Sequence, residues 1–434
     1  MIKVKLPNFL RYVTVLVSGS FLAQVILVAV QPLLSRIYSP KDVGGFALFS
    51  SVLSVVSVIA TMRYEYAIML PSENETERSK VLLGMTLLLT LVTCFAVLIG
   101  LGGAERWIFP LMGTFAPGKW IWLLPVSLLV VGWYQAFYFW GLRCKKFKTL
   151  SFVNFLRSAS TAIVQVGNGE IGVHTIGLIL GQLLGQFTAV CTLLMSERQW
   201  LKMVRFRSSW PIKLKQEAIR YRQFPLFSAP QTLINAVSQN IPVFLLGDFF
   251  SSTVVGYYAL AYRLLQLPTN IVGDSIREVF YQQSSEVSKN KYSVYLMLKR
   301  TTLWLAIVGF IPFLILIFFG PQLFSIVLSN KWLPSGFYAR ILAIASYMSF
   351  INIPSVVLIN IYNLQKFHMI YEIGLLIFRA ASIITGCILH NVVVAIAFYA
   401  SIGFIFNAFL ISYVFYRSKF KGFHSEMSGV ELFV

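Results

Sequence analysis

The sequence predicts an all-α integral membrane protein with about twelve transmembrane helices in two six-helix lobes. Apolar residues make up 57% of the chain and charged residues only 12%, with a mean hydropathy of +0.74, whereas about a quarter of the residues in soluble domains are charged. Twelve apolar runs are long enough for spans of about 20 residues. A short motif also recurs after 212 positions, close to half of the 434 residues.

The apolar runs divide evenly between the halves of the chain. The first six predicted spans cover residues 12–34, 43–62, 81–102, 120–142, 151–166 and 171–195. The last six cover residues 224–246, 253–272, 301–320, 337–361, 370–389 and 392–416. Asn154, Arg157 and Gln165 interrupt the fifth run, which is the weakest of the twelve. The predicted lobes are residues 1–222 and 223–434.

The recurring motif supports a duplication. IYSPKDVGGFAL at residues 37–48 and FFSSTVVGYYAL at residues 249–260 share five identities at this offset, and half the chain length is where a duplication places a match. Six spans in each half give both copies the same orientation. A pseudo-two-fold axis along the membrane normal is therefore predicted to relate the lobes.

The cations predict the orientation. The two tails and the even-numbered connections hold 27 of the 36 lysines and arginines. Six lie on the outer side, five of them in the odd-numbered connections and Arg340 near the outer end of the tenth span, and three lie deep within spans. The positive-inside rule then places both termini in the cytoplasm. The longest connection, 196–223, is predicted to be a charged tether, or alternatively a segment lying on anionic lipid. Nucleic acid is not predicted as a partner despite the net charge of +20, because the cations are spread over loops.

Arg157, Arg263 and Arg379 lie within spans, each about nine residues from a helix end, which is roughly 13 Å deep. No acidic residue is predicted at that depth, and intramembrane charges normally face a cavity. Guanidinium groups bind phosphate through paired hydrogen bonds. The three arginines therefore predict a cationic cavity for a phosphate or pyrophosphate group. Alternatively, they bond helix carbonyls or nearby amide side chains, or snorkel to a membrane surface.

Polar side chains on one helix face support a cavity. Gln231, Asn235 and Gln239 recur at intervals of four residues, and Gln24 and Tyr262 are further candidates for the cavity lining. Such stripes also hold helices together. Pro32 in the first span and Pro242 in the seventh occupy corresponding places in the two halves and are hinge candidates.

The chain carries no sequence signature of an enzyme. G-x-S-x-G, H-E-x-x-H and Walker motifs are absent, and the four histidines and four cysteines are scattered. The longest predicted outer connection, about 103–119, is short for an extracytoplasmic catalytic site. We therefore expect neither catalysis nor a cofactor nor a metal site.

Two stretches resemble a known family. Residues 33–71, LLSRIYSPKDVGGFALFSSVLSVVSVIATMRYEYAIMLP, and residues 255–282, VGYYALAYRLLQLPTNIVGDSIREVFYQ, are similar to segments of Wzx-type polysaccharide flippases. These belong to the multidrug/oligosaccharidyl-lipid/polysaccharide exporter superfamily. The predicted twelve helices in two lobes fit this family over the whole chain. The resemblance also implies that the first two helices of each lobe border the cavity, which places Arg263 at its wall.

The resemblance implies a flippase in the bacterial inner membrane. Its cargo would be an oligosaccharide linked to undecaprenyl pyrophosphate, moved by alternating access from the cytoplasmic to the periplasmic leaflet for O-antigen, capsule or exopolysaccharide synthesis. Membrane lipid and a glycan polymerase machinery are the other implied partners. The alternative is a secondary transporter of a small solute or drug, although the first lobe lacks an evident counterpart of the acidic residues of multidrug members.

Overall fold

A computed structural model describes residues 6–71, 75–107, 118–196, 210–273, 276–277, 280, 291–362 and 364–420. Within these ranges every regular element is a helix, as expected for chains whose backbone polar groups must be satisfied inside a bilayer. The all-α prediction is confirmed.

The first compact unit comprises Met1–Asn240. Its helices are α1 (Leu6–Ile37), α2 (Pro40–Thr61), α3 (Tyr64–Ala67), α4 (Thr76–Trp107), α5 (Leu124–Arg143), α6 (Phe147–Glu170), α7 (His174–Ser196), α8 (Trp210–Arg220) and most of α9 (Ala229–Phe249). A 3₁₀ turn, Lys119–Leu123, precedes α5, and a π-helical turn, Phe224–Ser228, precedes α9. The predicted first six spans fall on α1, α2, α4, α5, α6 and α7.

The second compact unit comprises Ile241–Val434. Its helices are α10 (Ser252–Leu265), α11 (Lys291–Val327), α12 (Leu333–Ile351), α13 (Ile353–Ile361), α14 (Gln365–Ile388) and α15 (Val392–Phe420), with a π-helical turn at Thr269–Gly273 and a 3₁₀ turn at Asn330–Trp332. The division between the units falls inside α9, and the lobe boundary predicted between residues 222 and 223 stays a prediction.

Seven of the described helices are long and apolar enough to cross a membrane, and the bent pair α12–α13 makes eight. The other predicted spans lie on α1, α6, α9 and α10. Amide side chains and Arg157 lower the hydropathy of α6, and amide side chains do the same for α9, while α10 has only 14 residues. Polar side chains inside these helices thus account for part of the difference between eight and twelve.

The repeated motif forms the same local structure in both copies. Ser39 precedes α2 and its side chain accepts a hydrogen bond from the Asp42 backbone N–H, while Asp42 bonds back to Ser39 in a capping box. Ser251 precedes α10 and accepts from the Val254 backbone N–H. Each serine satisfies a donor that the first helical turn leaves without a partner.

The predicted tenth span is broken. The chain bends by 47° between α12 and α13, at Asn352, whose side-chain amide donates to Asn407 Oδ1 at 2.8 Å. Pro354 follows two residues later, and a proline disfavours helical geometry in the residue before it. The break therefore has a local cause in the sequence.

Candidate substrate cavity

A polar cavity of about 280 Å³ lies within the first unit. The wall is formed by α2, by the turn that follows it, by α5 and by one face of α9. Its lining residues are Ser54, Ser57, Val58, Arg63, Gln135, Thr232, Asn235, Ala236, Gln239 and Asn240. Among the described residues that line the cavity, Arg63 alone is charged, so this lining is cationic.

A left-handed turn directs Arg63 toward the cavity. Met62 and Arg63 both have positive φ, at 48° and 62°, between the end of α2 and the start of α3. Such backbone costs a residue with a Cβ about 1–2 kcal/mol. The conformation reverses the chain sharply enough for the Arg63 side chain to face α9.

Three side chains fix the Arg63 guanidinium. Its Nε donates to Thr232 Oγ1 at 3.2 Å, and its Nη1 donates to Glu65 Oε1 at 3.3 Å and to the Tyr66 hydroxyl at 3.2 Å. The guanidinium carbon also lies 5.0 Å from the centroid of the Tyr66 ring. Within the described ranges, Nη2 has no protein partner, so the group keeps donors for an anion.

Glu65 is the counter-ion of Arg63 and is fully buried, whereas the Arg63 side chain is 20% exposed. Of the two Glu65 carboxylate oxygens, Oε2 has no hydrogen-bond partner among the described residues. A buried carboxylate is strongly unfavourable without a paired charge. Loss of Arg63 is therefore expected to destabilise the protein more than loss of Glu65, because it leaves a buried carboxylate without a counter-ion.

Two of the three predicted α9 residues line the cavity. Asn235 and Gln239 are on the lining face together with Thr232, while Gln231 is exposed and is not part of the lining. Gln24, on α1, is half-buried and does not belong to this lining either.

Arg157 lies in the first unit, outside the cavity lining. Its guanidinium carbon is 5.1 Å from the centroid of the Tyr134 ring, within the range of a cation–π interaction. Farther along α6, Thr161 and Gln165 contact α7 where Gly181 and Gly185 allow close approach, and Gln165 Nε2 donates to the Leu178 carbonyl at 3.0 Å. Thr161 and Gln165 thus hold α6 against α7.

Arg263, Arg379 and Tyr262 lie in the second unit. Arg379 is buried, with its guanidinium carbon 5.3 Å from the centroid of the Tyr399 ring. Tyr399 contacts Tyr258, which stacks on Tyr262. Tyr262 and Arg379 therefore belong to one aromatic cluster. Arg263 is exposed, and among the described residues of its unit it has no ion-pair or hydrogen-bond partner.

The two predicted hinge prolines lie inside continuous helices, Pro32 in α1 and Pro242 in α9. Ser35 Oγ donates to the Pro32 carbonyl at 2.8 Å. Pro242 follows the division between the units by two residues. Both remain candidates for hinges.

Sequence reasoning missed Arg63, which was grouped with the cations of a cytoplasmic connection. Its contact with Thr232 joins residues 169 positions apart. The available signal was local: Glu65 follows two residues later, and an acid this close to a cation at a helix end indicates an ion pair.

The fold has relatives among solved transporter structures. The lipid II flippase MurJ, in an inward closed conformation, has a TM-score of 0.69 at 14% identity, with 93% of this chain and 89% of that chain covered. An inward-facing multidrug resistance MATE transporter of the MOP superfamily has a TM-score of 0.65 at 12% identity, covering 92% and 95%. These similarities confirm the predicted membrane fold of about twelve helices in two lobes.

Sequence comparison identifies the family. The teichuronic acid biosynthesis protein TuaB of Bacillus subtilis (strain 168) is 23% identical over 303 residues, a match that spans 67% of this chain and 60% of TuaB. A family model described as polysaccharide biosynthesis protein matches residues 33–336, well over half of the chain. The chain belongs to this family of polysaccharide biosynthesis proteins.

Proposed function

We propose that the protein is a flippase for an anionic oligosaccharide linked to a polyprenyl pyrophosphate. It moves this lipid from the cytoplasmic to the periplasmic leaflet of the bacterial inner membrane, for O-antigen, capsule or exopolysaccharide synthesis, with both termini in the cytoplasm. A glycan polymerase machinery receives the product. Membership in the polysaccharide biosynthesis family and fold similarity to a lipid II flippase support this function.

The oriented guanidinium of Arg63 in a polar cavity carries the proposal. A phosphate oxygen pair can accept from Nη2 and a neighbouring donor in a planar, bidentate arrangement. Glu65, Tyr66 and Thr232 hold the group before any ligand arrives, so little side-chain freedom is lost on binding. The anionic pyrophosphate is the part of the cargo that Arg63 recognises.

The rest of the lining suits sugar hydroxyls. Gln135, Asn235, Gln239 and Asn240 offer amide donors and acceptors. A volume of about 280 Å³ accommodates a phosphate group and little more than one sugar, so the remaining sugars and the polyprenyl tail lie elsewhere. Arg157, Arg263 and Arg379 stay proposed cations of the cargo pathway.

Transport by alternating access requires differential binding. The cargo must bind one conformation more tightly than the other, because a ligand with equal affinity for both shifts nothing. An ion pair that gains a phosphate partner in one state provides such a difference.

A secondary transporter of a small solute or drug is the second candidate. The size of the cavity and the fold similarity to a MATE transporter favour it. The two functions differ in the ligand: a polyprenyl pyrophosphate binds with a long lipid chain, whereas a small solute binds without one.

The test neutralises the ion pair in two steps. Arg63→Gln leaves Glu65 buried without a counter-ion, which costs about 3–5 kcal/mol, so membrane abundance falls. Glu65→Gln alone costs less, because Arg63 is partly hydrated. The double variant R63Q/E65Q restores a hydrogen-bonded neutral pair and therefore abundance, yet it removes the anion site. We expect normal abundance with loss of surface polysaccharide and of polyprenyl pyrophosphate binding measured by native mass spectrometry.

The exposed pair Lys80–Glu77, 2.6 Å apart in α4, provides the control. The double variant K80Q/E77Q should change neither abundance nor export, because exposed pairs contribute little. Full export by R63Q/E65Q would remove Arg63 from the site. Binding of a small solute in place of the polyprenyl lipid would favour the second function.

A further inference from the structure

The short helix α8 has two different faces. Trp210 and Glu217 are buried, and Leu214 and Ala218 pack against the buried cluster that includes Tyr64 and Leu83. These residues recur at intervals of three and four and so share one side of the helix. The side chains on the opposite side of the helix are exposed.

The inner side of α8 is firmly attached to α3 and α4. Arg78 binds both carboxylate oxygens of Glu217, with Nε to Oε1 at 2.9 Å and Nη2 to Oε2 at 3.3 Å. The Trp210 ring lies over Gly84, where a Cβ would collide with it. The Tyr64 hydroxyl, whose pKa is raised by burial, donates to the Ala218 carbonyl at 3.2 Å. The outer side of α8 therefore has a fixed direction.

The outer side combines an apolar stripe with cations. Ile212 is 64% exposed and Ile219 is 56% exposed, and a spacing of seven residues places them on one line along the helix. Four exposed cations accompany them, Lys213, Lys215 and Arg220 on the helix and Arg222 in the turn that follows it. Within the described part of the chain, none of the four forms an ion pair. Beyond the helix, Leu226 and Phe227 are also exposed, at 59% and 71%.

We propose that this outer face of α8 binds the anionic lipid headgroups of the membrane surface. Isoleucines between lysines and arginines are the pattern of a helix that lies in the interface, with apolar side chains below the headgroups and cations at the phosphates. The attachment site agrees with this position, because Gly84 lies in the N-terminal third of α4, a helix long and apolar enough to cross the membrane. The inference is independent of the cargo.

The charge of the outer face of α8 favours a lipid surface over a protein as its binding partner. The outer face of α8 carries three cations, the turn that follows it carries a fourth, and neither has an exposed acidic residue, which matches a surface of uniform negative charge. Each cation near such a surface changes the affinity about fivefold.

The experiment places a bimane fluorophore on Ile219→Cys after Cys94, Cys144, Cys191 and Cys387 have been replaced by serine. The full chain is reconstituted in phosphatidylcholine vesicles with increasing phosphatidylglycerol and a doxyl-labelled lipid quencher. Quenching should rise with phosphatidylglycerol and weaken with salt. In Lys213→Gln/Lys215→Gln, half-maximal quenching should need about twentyfold more phosphatidylglycerol.

The matched control is Lys299→Gln/Arg300→Gln, which removes two exposed cations from α11 and should leave the quenching curve unchanged. Quenching that ignores both phosphatidylglycerol and the α8 charges would overturn the proposal. So would quenching by aqueous iodide alone, which indicates a solvated helix. Disulfide cross-linking of Ile219→Cys between two copies would instead identify a second chain as the occupant.

Discussion

Arg63 in the first unit and Arg379 in the second are held by different chemistry. Arg63 has a carboxylate and two hydroxyl groups as partners and lines a polar cavity. Arg379 is only 9% exposed and lies over the Tyr399 ring. Polar contacts fix the direction of a guanidinium and leave donors for an anion, whereas an aromatic face stabilises the charge in a dry environment. The Arg63 guanidinium is therefore well prepared to bind an anion.

Arg263 fits neither case, because it is exposed and has no polar partner among the described residues of its unit. The largest expected effect belongs to this residue. Arg263→Ala should abolish glycan export at nearly normal membrane abundance, since removing an unpaired cation breaks no packed contact. Lysine should rescue only partly, because it lacks the bidentate geometry. Surface polysaccharide and abundance are measured together, and full export by Arg263→Gln would contradict a role in binding.

Arg379 should show a smaller effect, and on stability. A desolvated cation–π interaction contributes about 2 kcal/mol, so Arg379→Gln and Tyr399→Leu should each lower the melting temperature, and the double variant should lower it by less than the sum. Arg157→Gln serves as the matched variant, because Arg157 forms a half-buried cation–π pair with Tyr134. Loss of that pair should lower stability by only about 0.5–1 kcal/mol. Unchanged melting with lost export would make Arg379 a binding residue and end the contrast with Arg63.

The smallest effect concerns the amides of α9. Gln239→Ala removes a side chain from the cavity lining, and a lost hydrogen bond of about 1 kcal/mol corresponds to roughly fivefold weaker cargo binding. Gln231→Ala changes the same residue type on the same helix outside the lining and should leave affinity unchanged. Native mass spectrometry with a polyprenyl pyrophosphate measures both. Equal losses in the two variants would assign the stripe to helix packing.

Local signals allowed much of the fold to be predicted. Composition indicates the bilayer, and the serines before α2 and α10 mark two helix starts through ordinary capping chemistry. The bend at Asn352 was missed although Pro354 indicates it, because the apolar run continues through the break. Hydropathy reports how long an apolar segment is, and does not report whether it is straight.

The candidate site was only half predicted for a different reason. Asn235 and Gln239 were found because helical periodicity is visible in a sequence. Arg63 was missed because its orientation depends on two residues with positive φ, neither of them glycine, and on a partner in a distant helix. Selecting cations by their depth within a span finds the charges that are costly to bury. A cation at the end of a span, such as Arg63, is overlooked by this criterion.

The contact between Gly84 and Trp210 has an evolutionary consequence. A side chain at position 84 would displace the indole ring, and a smaller residue at position 210 would leave a gap above the glycine. A substitution at position 84 or at position 210 alone would therefore loosen the packing of α8 against α4. Among family members, glycine at the first and a large aromatic residue at the second should therefore be inherited together, and lineages that have lost one should have lost the other.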